Sequence, residues 1–142
     1  MDTRLEHANL VVRDVDATLR FLQTALPDFG VRHDSGGGSS DRWVHVGNDH
    51  AYVALMQSSV EPAEAWTPYV GRPGVNHLGF VVGDAGALRA RMREAGYTES
   101  GVPNAHPWRK RVYFLDPDGN DWEFVEYGSD DPALRNDYAL RG

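Results

Sequence analysis

Two histidines at matching positions are the first residues of this sequence that could do chemistry. His7 and His77 lie 70 residues apart, and the octets that they begin, HANLVVRD and HLGFVVGD, share a His, two Val and an Asp at the same places. Such an internal repeat predicts two copies of one structural module. If the modules pair about a pseudo-twofold axis, the two imidazoles converge. Two neutral imidazoles and one carboxylate form a ligand set that leaves metal positions open for a substrate.

The carboxylate that would complete this set has two candidates near the end of the chain. Glu123 and Glu126 both lie in the segment DWEFVEY, which reads as a strand. Because they are three positions apart, their side chains point to opposite faces of that strand and only one can enter a site. The spacing alone does not select between them.

Composition limits which other chemistries are available. The chain has 142 residues, with 14 Lys and Arg against 21 Asp and Glu, a net charge of −7 and no cysteine. A chain of this length buries roughly two thirds of its unfolded surface, so residues 1–142 are expected to form a single domain without a disulfide or structural metal. Without thiols, any metal must be bound by His and carboxylate side chains.

The same composition bears on partners and location. An acidic balance argues against nucleic acid, which requires a clustered positive surface. No apolar stretch approaches the roughly 20 residues of a membrane span, and no signal-peptide pattern precedes the first strand. We therefore expect a cytoplasmic protein with no nucleic-acid and no membrane partner.

The elements that would position the histidines follow one order twice. In the first module, residues 1–57, a strand over 5–12 precedes a helix capped by Asp14 or Asp16 and directed inward by Val15, Leu19, Leu22 and Leu26. Three strands follow, over 29–33, 43–46 and 51–56, and residues 58–73 form a polar connector.

The second module, residues 74–128, repeats this order. A strand over 75–82 leads into a helix that is capped by Asp84, points Leu88, Met92 and Ala95 inward and ends at Gly96. Strands over 97–101, 109–115 and 121–127 follow, the last two joined by the turn Asp116-Pro117-Asp118-Gly119. A tail, residues 129–142, carries a short capped helix. The predicted class is α+β, with two βαβββ modules whose curved sheets enclose a cleft.

With this order and these motifs, nearly the whole chain resembles the vicinal oxygen chelate superfamily. This superfamily includes lactoylglutathione lyases, bleomycin-resistance proteins, fosfomycin-resistance thiol transferases and extradiol ring-cleaving dioxygenases. Its metal-using members take one His from the first strand of each module and a Glu four residues after the Gly of an Asp-Pro-Asp-Gly turn. The resemblance therefore implies the ligands His7, His77 and Glu123, and it selects Glu123 over Glu126.

A longer stretch is similar to the extradiol dioxygenase signature. The sequence runs from His106 through five residues to Val112-Tyr113, then to the Asp116-to-Gly119 turn and Glu123. The resemblance implies catalytic roles for Tyr113 and His106. Arg111 alternates with Tyr113 on the same strand, so its guanidinium could bind an anionic group of the substrate.

The first module offers further candidates for substrate binding. Where lyase-type members often have a fourth ligand, this chain has Ala54, whose methyl group cannot bind metal. Trp43 and Tyr52, together with Trp66, are expected to line an aromatic pocket, and His45 lies beside them in the sequence as a substrate-binding candidate.

The resemblance thus implies a metal-dependent enzyme, most similar to an extradiol-type dioxygenase, that acts on a small molecule with two neighbouring oxygens. Fe(II) or Mn(II) suits the predicted ligands best, and Zn(II), Ni(II) or Mg(II) are alternatives. Other readings are a glyoxalase-like lyase or isomerase and a metal-free drug-binding protein of the bleomycin-resistance type, which the acidic charge suits. Since modules of this type also pair between chains, we expect a homodimer.

Overall fold

The structure, a computed structural model that describes residues 2–36, 40–61, 64, 67–101 and 106–139, divides into two compact units. These units are Met1–Ala65 and Trp66–Gly142, and the division falls inside the stretch predicted as a connector. In each unit a sheet carries a helix packed on it, which confirms the α+β class. None of the helices in the described part of the chain has the length and apolar character that a bilayer crossing requires.

Among its described residues, the first unit contains one helix and a four-stranded sheet in the order β1-β4-β3-β2. β1 runs parallel to β4, and the other neighbours are antiparallel. The elements are β1 (His7–Val12), α1 (Val15–Ala25), β2 (Gly30–Asp34), β3 (Trp43–Gly47) and β4 (Tyr52–Gln57).

The second unit contains a three-stranded sheet in the order β5-β7-β6, with β5 parallel to β7 and β6 antiparallel to it. Its elements are β5 (His77–Val81), α2 (Ala85–Glu94), β6 (Arg109–Leu115), β7 (Asp121–Tyr127) and the tail helix α3 (Pro132–Arg135).

The strand predicted over residues 97–101 is reduced to a single bridge between Glu99 and Phe114. Two backbone hydrogen bonds form this bridge, from Leu115 N to Thr98 O and from Ser100 N to Tyr113 O. Pairing on one residue is too short to count as a strand, so in the described part of the chain the second sheet has one strand fewer than the first.

The repeat seen in the sequence is present in the backbone. Asp14 Oδ1 accepts a hydrogen bond from Ala17 N at 3.1 Å, and Asp84 Oδ1 accepts one from Ala87 N at 2.8 Å, so equivalent aspartates cap the two helices. Asp16, the alternative cap, instead forms an ion pair with Arg42. In both units the strand that begins with histidine lies parallel to the last strand of its sheet.

Helix packing agrees with most of the predicted inward positions. α1 buries Val15, Leu22 and Leu26, while Leu19 is half-buried, and α2 buries Leu88 and Met92. The prediction that Ala95 points inward is wrong, because α2 ends at Glu94 and Ala95 is its exposed C-cap. Gly96 follows with φ of +87°, the left-handed conformation expected there.

The turn between β6 and β7 is organised by the buried carboxylate of Asp116. Its Oδ1 accepts from the backbone N–H groups of Asp118 and Asn120, both at 2.9 Å, and its Oδ2 accepts from the indole Nε1 of Trp122 at 3.0 Å. Gly119 completes the turn with φ of +82°. These bonds fix the register that places Glu123 opposite Tyr113.

Candidate functional site

In the second unit, His77 and Glu123 face each other across the paired strands β5 and β7. His77 Nε2 lies 3.1 Å from Glu123 Oε2. The His77 side chain is 32% exposed and the Glu123 side chain 17%, so both are partly shielded and still reachable. An imidazole nitrogen and a carboxylate oxygen aimed at one point are donors of the type that divalent transition metals take.

Glu126, the alternative carboxylate, serves a different purpose. Its Oε2 accepts a hydrogen bond from the backbone N–H of Ala85 at 2.9 Å, at the start of α2. A carboxylate at a helix N-terminus satisfies a free backbone donor and interacts favourably with the helix dipole. The two carboxylates therefore lie on opposite faces of β7: Glu123 is beside His77, and Glu126 binds the start of α2.

Arg111 and Tyr113 extend the His77–Glu123 pair onto β6. Tyr113 is the register partner of Glu123, and Arg111 Nε lies 3.4 Å from Glu123 Oε1. The Tyr113 ring meets the His77 ring edge-on, with 6.2 Å between centroids. Burial raises the pKa of the Tyr113 phenol, and the negative charge of Glu123 raises it further. The phenol therefore stays protonated at neutral pH.

Gly101 lies directly against the ring of Tyr113. A Cβ atom at Gly101 would lie 2.8 Å from Tyr113 Cδ2, a distance that no real contact shows. The absence of a side chain at this position is what lets the chain pass so close to the phenol.

Three residues that the sequence reading missed surround the other side of His77. Asn76 Nδ2 lies 2.9 Å from His77 Nδ1, and the Tyr69 hydroxyl lies 3.4 Å from the same nitrogen. That hydroxyl donates to Asp121 Oδ2 at 2.6 Å, and Asp121 is buried. Tyr69 also donates its backbone N–H to Asn76 Oδ1 at 2.7 Å, which fixes the amide.

Tyr69 adopts a conformation that side chains rarely take. Its φ is +65°, in the left-handed region, where a bulky residue is uncommon. Burial and the hydrogen bond to Asp121 raise the pKa of its phenol. Since this residue lies in an irregular polar stretch, no periodicity marks it, and only its spacing from Asn76 could have suggested a turn.

His106 is placed in structural surroundings. Its ring is buried, its Nδ1 accepts from the backbone N–H of Trp108 at 3.0 Å, and its Nε2 donates to the carbonyl of Asp137 at 3.3 Å. Arg109 donates to the same carbonyl at 3.0 Å. The two ring nitrogens are thus engaged with backbone groups that tie the tail to the sheet, rather than with His77 or Glu123.

In the first unit, His7 stacks on Tyr52, its register partner on β4. Their ring centroids are 4.8 Å apart and their planes are 13° from parallel. His7 Nδ1 lies 2.9 Å from Glu6 Oε1, and the Tyr52 hydroxyl donates to the same oxygen at 3.3 Å. The hydrogen bond with His7 is the main cause of the lowered pKa of Glu6. The His7 side chain is 45% exposed, which leaves it reachable.

The predicted substrate-binding residues of the first module lie next to this pair. The His45 ring stacks on Tyr52 at 4.7 Å, and Trp43 lies 5.0 Å from His45. Ala54 is the register partner of His45 on β3 and of Asn9 on β1, so β4 places a methyl group between these two residues. Trp66 lies outside the described residues.

Two residues that the sequence analysis did not select complete this face. Arg32 places its guanidinium carbon 4.5 Å from the centre of the Tyr52 ring, and His33 stacks on Trp43 at 4.5 Å. The pKa of His45 is lowered, mainly by burial and further by the positive charges of Arg32, His33 and His7. Arg32 and His33 lie on β2, which is exposed along its whole length. Because no face of this strand is buried, its sequence shows no alternation of polar and apolar residues that would have marked them.

Two further observations concern metal and ligand sites, the predicted metal ligands included. Within the described ranges, no group of three or more His, Asp or Glu side chains is arranged to hold a metal ion. A depression of about 430 Å³ lies at one end of β2 and β3. It is lined by Asp28, Gly30, Val31, Arg32, Gly47, Asn48 and Asp49, none of which was predicted as a site residue.

Comparison with known proteins identifies relatives of the chain. A model of the glyoxalase/bleomycin resistance protein/dioxygenase superfamily matches residues 4–124. Glyoxylase I 4 of Arabidopsis thaliana is 24% identical over 119 residues, which cover 82% of this chain and 67% of that protein.

Solved structures with the same fold include two that span almost the whole chain. A glyoxylase/bleomycin resistance protein/dioxygenase domain from a Frankia species is 21% identical with a TM-score of 0.73, covering 93% of this chain and 97% of that one. A mutant of the fosfomycin resistance protein FosX from Listeria monocytogenes, in complex with Mn(II) and dihydroxypropylphosphonic acid, is 18% identical with a TM-score of 0.66. It covers 98% of this chain and 99% of that one.

Proposed function

Because this chain belongs to the glyoxalase/bleomycin resistance protein/dioxygenase superfamily, we propose that it is a metal-dependent enzyme acting on a small molecule that chelates metal through two neighbouring oxygens. Extradiol-type dioxygenase chemistry is the form that we propose. The observation that carries the proposal is the 3.1 Å approach of His77 Nε2 and Glu123 Oε2, with Arg111 and Tyr113 on the adjacent strand.

His77, Glu123 and His7 are the ligands that we assign. The first two already face each other in the second unit, and His7 holds the equivalent position at the start of the first. Fe(II) or Mn(II) is the preferred ion for two imidazoles and one carboxylate, with Zn(II), Ni(II) and Mg(II) as alternatives. A divalent cation bound there would polarise the two substrate oxygens.

The remaining chemistry belongs to side chains on β6. Tyr113, protonated at neutral pH because burial raises its pKa, donates a hydrogen bond to a substrate oxygen and can deliver its proton to it. Arg111 shares its charge with Glu123 and binds an anionic group of the substrate through its guanidinium. The engaged nitrogens of His106 favour a structural role for it, so we assign it no proton transfer.

A glyoxalase-like lyase is the second candidate, favoured by the relative in Arabidopsis thaliana. Against it stands Ala54, which provides no fourth ligand on β4. We further propose that the protein is cytoplasmic and that it forms a homodimer. Light scattering of the purified protein tests the homodimer directly.

The test is turnover by protein loaded anaerobically with Fe(II) or Mn(II). We expect catechol to consume one O₂ per molecule in an oxygen electrode, only after loading, and we expect no turnover of the hemithioacetal of methylglyoxal. Turnover of the hemithioacetal alone would establish the lyase instead. Binding of bleomycin in the presence of EDTA, with neither reaction, would establish the drug-binding alternative and overturn the enzyme proposal.

A further inference from the structure

One face of the first sheet carries a continuous series of contacting rings, which we call the ring ladder. Successive centroids are 4.8, 4.7, 5.0 and 4.5 Å apart. The ladder consists, in spatial order, of His7, Tyr52, His45, Trp43 and His33. It crosses all four strands of the sheet, so its rings are held by backbone pairing rather than by a loop.

The ladder is reachable and it is not merely core packing. Trp43 is 38% exposed, and His7 and His33 are exposed as well, whereas the opposite face of the same strands buries Val44, Val46 and Leu55. Stacked aromatic rings usually serve packing when buried. Here the neighbouring rings cover each other's faces, so the exposed part of the ladder is a row of ring edges, which can meet the face of a ligand ring.

The charge beside the ladder is positive. Arg32 is exposed, and its guanidinium lies over the ring of Tyr52. At the His7 end of the ladder, the Glu6 carboxylate is engaged by the His7 ring and the Tyr52 hydroxyl. A cationic ligand that packed on Tyr52 would be repelled by the positive charge of Arg32. An anionic ligand at the same place would be attracted by the guanidinium and could form hydrogen bonds with it.

We propose that the ring ladder binds a planar aromatic carboxylate, with the ligand ring packed against Trp43 and Tyr52 and its carboxylate paired with Arg32. This inference rests on the proposed function and narrows its substrate class: the aromatic substrate would carry a carboxylate, bound by Arg32, in addition to the anionic group assigned to Arg111. The face of the ligand ring meets the ring edges of the ladder in edge-to-face contacts, which discriminate against saturated rings. The guanidinium forms charge-assisted hydrogen bonds, which discriminate against neutral analogues.

Calorimetric titration of metal-free protein in EDTA separates this proposal from metal binding. The probes are benzoate, its neutral isostere benzamide, its saturated analogue cyclohexanecarboxylate and the cation benzylammonium. We expect benzoate to bind about tenfold more tightly than benzamide and benzylammonium, since a charge-assisted hydrogen bond contributes roughly this factor. We expect it to bind about fivefold more tightly than cyclohexanecarboxylate, which keeps the carboxylate but lacks the aromatic contact. Equal affinities for benzoate and benzamide, or tighter binding of benzylammonium, would overturn the proposal.

Variants assign the effect to the ladder. Arg32→Gln should remove the preference for benzoate over benzamide, and Trp43→Leu should remove the preference for benzoate over cyclohexanecarboxylate. Arg20→Gln, on the exposed side of α1, is the matched control and should keep both preferences. Circular dichroism checks folding of each variant, and a preference that survives Arg32→Gln in folded protein would contradict the assignment.

A second variant keeps the two proposals distinguishable. His77→Ala removes an assigned metal ligand outside the ladder, and it should leave the benzoate preference of the metal-free protein intact. If wild-type protein fails to bind metal but shows the preference, only the enzyme proposal falls. If it binds metal without the preference, only the ladder proposal falls.

Discussion

Tyr113 and Glu126 illustrate how a single residue acquires its role from its neighbours. Tyr113 lies opposite Glu123 in the register and beside Gly101, and burial keeps its phenol protonated. Glu126, only three residues beyond Glu123, accepts from the backbone of Ala85 instead. The three-residue spacing predicted that the two carboxylates would point to opposite faces of the strand. It could not predict which of the two faces carries His77, because that depends on the neighbouring strand.

Removing the Tyr113 hydroxyl tests its proposed part in catalysis. In Tyr113→Phe we expect kcat to fall by about a hundredfold with little change in KM, the usual size of a lost proton-transfer group. Steady-state oxygen uptake with catechol measures both parameters. Tyr127→Phe, on β7 of the same sheet, is the control and should retain wild-type kcat. Equal kcat in Tyr113→Phe and wild type would contradict the role.

At the scale of elements, helix caps and turns were predicted correctly from the sequence, whereas contacts between distant parts of the chain were not. Asp84, Gly96 and the Asp116 turn are recognised from residue types because caps and turns depend on a few neighbours. Tyr69 and Asn76 were missed because they lie in an irregular stretch, where apolar residues follow neither the helical nor the strand period. Residues 97–101, predicted as a strand, form only one bridge. The local sequence pattern could not show this, because strand pairing depends on residues elsewhere in the chain.

Asp116 should be the residue on which the β6–β7 hairpin depends most. Asp116→Ala leaves the buried Trp122 indole and two backbone N–H groups without their acceptor. We expect the free energy of unfolding to fall by about 3 kcal/mol, as for other losses of a buried hydrogen-bond centre. Urea denaturation measures it. A loss no larger than that of the exposed control Asp130→Ala would show that the turn forms without Asp116.

Arg42 links α1 to β2 and makes stability depend on pH. It pairs with both Asp16 and Asp34 at 2.9 Å, and its hydrogen bonds lower the pKa of Asp34 from 3.8 to about 2. A pKa lowered by folding stabilises the protein above pH 3.8, and this contribution is lost as pH falls toward 2.

The variant Arg42→Gln should therefore raise the pKa of Asp34 toward 3.8, as measured by carboxyl NMR titration. Its stability deficit relative to wild type should be larger at pH 7 than near pH 2. Arg13→Gln, whose pair with Glu61 is exposed, serves as the control. An Asp34 pKa unchanged in Arg42→Gln would exclude this ion pair as the cause.

For the whole molecule, the repeat was the most informative feature of the sequence. The 70-residue offset between His7 and His77 recurs in the helix caps Asp14 and Asp84 and in the parallel pairing of each first strand. The net charge was less informative. A value of −7 suited capture of a cationic drug, yet the guanidinium of Arg32 lies against the ring ladder. Net charge does not report how charges are distributed over the surface.

The measurement that tests the central claim is the metal affinity of the metal-free protein, titrated with Mn(II) and Fe(II) under anaerobic conditions and checked by elemental analysis. We predict one ion per chain in wild type and at least a tenfold loss of affinity in His7→Ala, His77→Ala and Glu123→Gln. Glu126→Gln, which keeps an oxygen acceptor for Ala85, should bind metal like wild type. Unchanged affinity in His77→Ala, or an equal loss in Glu126→Gln and Glu123→Gln, would contradict the account.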